Sequence, residues 1–320
     1  MSAASIIILG VGGRGCSALQ HLQQQGLPDN IHRIAVSTDK RALNSVHCDS
    51  RILLGEAIAN GKSCGGNAEL AAAAVRETEP ALRHAFSSAD VLIMLTGLGG
   101  GNGSGAATEL AKLAAELKVP VLVFATLPFN FEGQRRAQLA VNSIQILQQC
   151  GAAVVAMPND QLQSAVGASA RLELALDASN TFLLGILQQL TAMLSDTGLI
   201  NMDFNDFLSV IKQPGLALAG AVEAAMESEL PAALQQLLLN PLLQRQQLSQ
   251  ASAALLHIVA SESFSLQQFE ALGLQLAAEF PNVSLLLQGL TLLPDQASKP
   301  KLLLLASGID TDCRAKLHCV

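Results

Sequence analysis

The chain has 320 residues, 50% of them hydrophobic and 14% charged. That is enough chain for about two domains with a sizeable core, and the wrong composition for disorder. Lys and Arg number 19 against 26 Asp and Glu, a net −7, and there is no Trp, no Tyr and only 10 Phe. General nucleic-acid binding is excluded, because it needs a basic footprint and benefits from stacking rings.

A mean hydropathy of +0.37 raises the question of a membrane. The apolar runs answer it: Val119–Leu127 is broken by Pro120, Leu237–Leu243 is split by Asn240-Pro241, and Lys301–Ala306 is short. None approaches the ~20 residues that span a bilayer. The start, MSAASIIILGVGG, has no basic first segment and runs into a glycine loop, so no signal peptide is expected. A cytoplasmic chain with no direct membrane segment is expected, its spare apolar surface covered by a subunit interface. The six Cys form no C-x-x-C pair, and free thiols are expected. Cys313, His318 and Cys319 lack a suggested fourth ligand, so no metal site is assigned.

In chain order, strand Ser5–Leu9 meets Gly10-Val-Gly-Gly-Arg-Gly15, and a helix follows from Cys16 to Gln25. Strand Arg33–Ser37 ends at Thr38-Asp39, and Asn67–Ala85 has helical character. Strand Asp90–Leu95 enters Gly97-Leu-Gly-Gly-Gly-Asn-Gly-Ser-Gly105, which opens a helix reaching Leu117. Strands Val119–Ala125 and Ala152–Ala156 flank a helix at Arg136–Cys150. This alternation predicts a doubly wound parallel sheet. Ala168–Leu194 then reads as one long helix, with Leu172, Leu176, Leu183, Ile186, Leu187 and Leu190 at helical spacing. Beyond it, helices at Phe207–Lys212, Pro231–Leu239 and Leu266–Phe280 alternate with strands at Ala217–Ala225, Ser252–Val259, Val283–Leu292 and Lys301–Ser307. They form a smaller α+β domain, with Ser265 and Gln268 as a capping box. The expected division is 1–167 for the doubly wound domain, 168–197 for the central helix and 198–320 for the C-terminal domain.

Both glycine clusters follow a strand and open a helix, where backbone N–H groups can face an anion. Gly10, Gly12 and Gly15 match G-x-G-x-x-G, a string shared by dinucleotide sites and plain tight turns. Gly99–Gly105 says more. Five glycines in seven residues cost chain entropy that close backbone approach by a ligand would explain. There is no G-x-x-x-x-G-K-[ST], and two phosphate loops suit a di- or triphosphate nucleotide better than a nicotinamide. Pro128-Phe-Asn-Phe-Glu-Gly-Gln-Arg-Arg136 brings a carboxylate, Glu132, and a guanidinium, Arg136, to the end of a strand. Met157-Pro-Asn-Asp160 ends another strand and reads equally as a turn. Asn201-Met-Asp-Phe-Asn-Asp206 offers an amide and two carboxylates, suited either to a reactive water or to capping the next helix.

Taken in order, GVGGRGCSAL, STDKRALN, LTGLGGGNGSGAA, PFNFEGQRR, MPNDQL and GLINMDFNDF resemble the motifs of the FtsZ/tubulin family of cytoskeletal, cell-division GTPases, over nearly the whole chain. The resemblance implies a GTP/GDP site with Mg2+ carried by the nucleotide. Its residues would be Gly12, Gly13, Arg14, Gly15, Gly99, Gly100, Gly101, Asn102, Gly103, Ser104, Gly105, Glu132, Arg136, Asn159, Ser179 and Asn180. It implies head-to-tail filaments of the chain with itself, or with FtsZ or another paralogue. Asn201, Asp203 and Asp206 would then complete the neighbour's hydrolysis site. The departures are chemical: Arg14 stands where the family has Gly, Cys16-Ser17 where it has Asn, and Asn102 where it has Thr. Ser179 replaces an Asp that reads guanine. The chain ends at Val320 without the family's linker and tail, which implies a divergent paralogue. A non-hydrolysing or weakly binding structural relative is the alternative; an unrelated dinucleotide enzyme leaves four motifs unexplained.

Overall fold

The computed structural model describes residues 4–23, 31–161, 172–195, 199–200, 202–243, 245–294 and 299–309. Their contacts divide them into two compact units, one drawn from Met1–Asp160 and one from Gln161–Asp310.

The first unit is built on six strands: β1 (Ile6–Val11), β2 (Ile31–Ser37), β3 (Ser50–Leu53), β4 (Val91–Gly97), β5 (Val121–Leu127) and β6 (Ala153–Pro158). They pair in parallel in the order β3-β2-β1-β4-β5-β6. Every residue of β1 and β5 is buried. Successive side chains point to opposite faces, so both faces of this sheet are covered, and the strands read as unbroken apolar runs for that reason. This is the doubly wound α/β architecture expected from the alternation.

The helices depart from the sequence reading in instructive ways. Helix α1 (Gly12–Gln23) begins inside the first glycine string rather than at Cys16. Gly12 makes the turn at φ +68°. A Cβ on Gly15 would lie 2.1 Å from the Leu95 carbonyl oxygen, so the first helical turn rests directly on β4. Short helices α2 (Lys40–Asn44) and α3 (Glu56–Ala59), like strand β3, were not legible as periodic segments. The segment Asn67–Ala85 is two helices, α4 (Ala68–Glu77) and α5 (Glu79–Phe86). They part where the Thr78 hydroxyl turns back to the Ala74 carbonyl and Pro80 restarts the chain. After β4 the chain makes a π-helical turn at Gly101–Ala106 and continues as α6 (Ala107–Glu116); α7 (Gln134–Gln149) links β5 to β6.

In the second unit α8 (Leu172–Ser195), about 36 Å long at 1.5 Å per residue, packs on β7 (Leu216–Glu223) and β10 (Lys301–Ile309). The long helix thus belongs with the second unit. Strand β10 lies antiparallel between β7 and β8 (Ala253–Ser261), and β9 (Leu285–Leu293) pairs parallel to β8. Helices α9 (Phe204–Ile211), α10 (Leu230–Leu238) and α11 (Leu266–Glu279) complete it, α11 with the expected Ser265/Gln268 capping box. Among the described residues no helix is long and apolar enough to cross a membrane. The four described cysteines, Cys16, Cys48, Cys64 and Cys150, are free thiols; the Cys313/His318/Cys319 group lies outside the described residues.

His257 is buried on β8, its Nε2 3.0 Å from Thr291 Oγ1, and burial pushes its pKa down to about 4. The unfolded chain takes up this proton near 6.5 while the folded chain resists to about 4, so stability falls as pH drops through that window. Between pH 7 and pH 5 the loss from this group is about 2 kcal/mol. We expect His257→Gln to remove that part of the slope, measured by denaturant unfolding at the two pH values.

Candidate nucleotide-binding site

Parallel strands end on one edge, and ligands collect where the order reverses. Here β1 sits between β2 and β4, and an open cleft of about 310 Å³ lies at the carboxyl ends of β1, β4 and β5. Gly13, Arg14, Gly99, Gly100, Gly101, Asn102, Gly103, Glu132, Arg136 and Asn159, all singled out from sequence, line it. Val11, Ser63, Gly97, Leu98, Thr126, Leu127 and Pro128 line it too and were missed. Those at strand ends follow from the general rule for parallel sheets; nothing in the sequence marks Ser63.

The glycines divide by what surrounds them. Gly99 adopts φ +92°, and a Cβ on Gly100 or Gly13 would meet nothing within 4 Å. These positions present backbone to the cleft. Gly103 and Gly105 are different. A Cβ on Gly103 would lie 1.8 Å from the Gly97 carbonyl oxygen, and one on Gly105 1.9 Å from that of Ala68. Their glycines are required by the chain's contact with itself. Ligand approach, the reason inferred from sequence, therefore explains only part of the cluster.

Polar side chains fasten the same segment. The Gly99 N–H donates to Ser104 Oγ at 2.9 Å, and Ser104 is buried and does not line the cleft. Asn102 accepts from the Thr38 hydroxyl at 3.0 Å and donates to Ser37 Oγ at 3.3 Å, tying the loop to the end of β2. The Thr96 hydroxyl donates to the Gly103 carbonyl at 2.9 Å. Gly12, Gly15 and Gly105 sit behind the lining. Cys16 is buried as well, with its thiol pKa pushed up to about 12, chiefly by burial.

Charge is unevenly committed. Glu132 forms an ion pair with Arg136 and accepts the Phe129 N–H at 3.0 Å. Arg14 makes no hydrogen bond or ion pair with any described residue. Its guanidinium pKa is lowered by burial, against the nearby Glu132 charge that raises it. Asn159 is 4% exposed, and its Oδ1 accepts no hydrogen bond from any described residue. An unsatisfied buried acceptor costs about 1–3 kcal/mol, which a bound donor would recover. Among the described residues Glu132 is the sole carboxylate of the lining, and they hold no group of three His, Cys, Asp or Glu able to grip a metal. The described lining residues alone therefore form no carboxylate cage for the expected Mg2+.

The remaining candidates lie in the second unit. Ser179 and Asn180 are on α8, Ser179 buried. Asp203 and Asp206 form a reciprocal capping box on α9. Asp203 Oδ1 accepts the Asp206 N–H at 2.8 Å, and Asp206 Oδ2 accepts the Asp203 N–H at 3.0 Å. Asn201 lies outside the described residues.

The glycine assignments separate in a stability measurement. Gly103→Ala should destabilise the nucleotide-free protein by roughly 3 kcal/mol or more, since backbone must move. Gly100→Ala should leave Tm unchanged or slightly raised. Equal Tm values for the two variants would contradict the packing account.

Residues 5–167 match the family model described as the Tubulin/FtsZ family, GTPase domain. Over 319 residues the chain is 30% identical to the cell division protein FtsZ of Wigglesworthia glossinidia brevipalpis, covering 100% of this chain and 83% of the relative. It is 34% identical to cell division protein FtsZ 1 of Thermococcus kodakarensis over 81% of this chain and 69% of the relative. A solved structure of an empty FtsZ dimer from M. jannaschii superposes with TM-score 0.85 at 27% identity, covering 97% of this chain and 89% of that one. A GTPgS-bound protofilament of CetZ2 from Haloferax volcanii shares the fold, at TM-score 0.82 and 24% identity over 98% of this chain and 96% of that one. With a family model over half its length and relatives along all of it, the chain belongs to the tubulin/FtsZ family.

Proposed function

We propose that this chain binds GTP in the cleft of its first unit, assembles head to tail with further copies, and hydrolyses the nucleotide at the junction. The observation that carries the reading is Asn159: a buried acceptor without a partner among the described residues, in the wall of a glycine-lined cleft at the carboxyl ends of parallel strands. In this reading Gly13 and Gly100 give backbone N–H groups to phosphate oxygens, and Arg14 adds a cation. Asn159 Oδ1 takes a donor from the nucleoside.

The carboxylates come from the next subunit. Capping engages Asp203 Oδ1 and Asp206 Oδ2, so one oxygen of each remains for an attacking water. The caps also hold both groups in a set orientation, which a general base requires. Capping and catalysis are thus compatible. Arg14 favours a second reading, a relative that assembles with little turnover, because its side chain occupies room that the family leaves open. Pelleting with GTP, GDP, ATP or no nucleotide, with phosphate release read in parallel, separates the two.

Asp206→Ala should lower helix stability by about 1 kcal/mol through the lost cap. It should reduce phosphate release by roughly 10²–10⁴-fold while leaving GTP binding by the monomer nearly intact. Asp206→Asn retains a capping oxygen and should restore the stability but not the turnover. Full turnover in either variant rules out the trans carboxylates. For the base, Ser179→Asp should raise the ratio of GTP to ATP affinity, because a carboxylate accepts from the guanine donors; an unchanged ratio counts against Ser179.

A further inference from the structure

We propose that Arg14 supplies from within this chain the positive charge that neutralises a bound polyphosphate, so that nucleotide binding persists when Mg2+ is removed. The inference rests on the GTP-binding reading above.

Three observations converge on it. Among the described residues the cleft lining carries two cations, Arg14 and Arg136, and one anion, Glu132, a net +1 on a chain of net −7. Arg136 and Glu132 satisfy each other, and Glu132 also holds the Phe129 N–H. The uncompensated charge is therefore Arg14, which has no ion pair or hydrogen bond among the described residues.

Its stem is placed, not loose. A Cβ on Gly97 would sit 2.8 Å from Arg14 Cβ and 2.9 Å from its Cγ. Glycine at 97 thus leaves the space through which the Arg14 stem leaves the first turn of α1 and reaches the lining. A half-buried guanidinium held without a partner is poorly solvated, and a phosphate that meets it in the fork geometry gains more than it would in water.

The third observation concerns the metal. The usual alternative neutralising group is a divalent cation held by protein carboxylates, and the one carboxylate of the lining is already doubly engaged. Charge balance for a di- or triphosphate falls to Arg14 and the exposed backbone of Gly13 and Gly100.

Calorimetry on the full chain tests this, with GTP and inorganic tripolyphosphate as probes, each in EDTA and in Mg2+. For the unsubstituted chain we expect the GTP Kd to change by less than about threefold between the two conditions. Arg14→Gly should bind both probes roughly 10- to 100-fold more weakly in EDTA, and Mg2+ should recover much of the loss for GTP. Arg14→Gln, which keeps the stem without the charge, should behave like Arg14→Gly; Arg14→Lys should fall between. Arg14→Gly binding GTP as tightly as the unsubstituted chain, or more tightly, would show that Arg14 merely fills the pocket. A loss above about tenfold in the unsubstituted chain on adding EDTA would give the neutralising role to the metal. Either result overturns this inference and leaves the GTP-binding reading standing. Failure of the unsubstituted chain to bind GTP in either condition overturns both.

Discussion

The approach of one backbone segment to its neighbours sets the geometry of the cleft. Between Gly99 and Gly105 the chain leaves β4, makes a π-helical turn and enters α6. Gly103 presses on the carbonyl of Gly97 and Gly105 on that of Ala68, at distances no side chain permits. Because these contacts hold the turn from behind, Gly99 and Gly100 can present backbone in front. A larger residue at 103 or 105 would push the whole segment off α4 and the end of β4, and the cleft would change shape before any ligand arrived.

Hydrogen bonds finish what packing begins. Ser104, Asn102, Thr96 and Thr38 each spend their side chains on holding this segment, by bonds of 2.9–3.0 Å. Side chains that a motif reading would aim at phosphate are thus engaged within the protein. What is left over in the cleft is open backbone at Gly13 and Gly100, the Arg14 guanidinium and an Asn159 oxygen without a donor among the described residues. The division is economical in a physical sense, since a satisfied side chain is rigid and an unsatisfied one retains the free energy of a bond not yet made.

The acidic pair at the start of α9 shows the same sharing. Asp203 and Asp206 each bond the other's backbone N–H, which fixes their rotamers and complements the positive end of the helix. Read from the sequence, capping and water activation were competing accounts of one string. The geometry shows the capping, and it leaves one oxygen of each carboxylate outside the cap.

Much of this was legible in the chain of letters. Short, β-branched, mostly apolar runs such as Val121–Leu127, alternating with helical stretches, read as strands covered on both faces and so as a parallel sheet. Glycine after a strand marks where a sheet meets a helix, and Ser265 with Gln268 marks a helix start, because both signals are local. Tertiary structure alone decided the rest. Periodicity cannot report that Gly103 faces Gly97, that Glu132 is spent on Arg136, or that Gly97 makes way for the stem of Arg14. Nor does it mark Ser63 as part of the cleft, or Asn159 as lacking a donor among the described residues. Each depends on residues far apart in sequence meeting within a few ångströms, and one sequence carries no record of such distances.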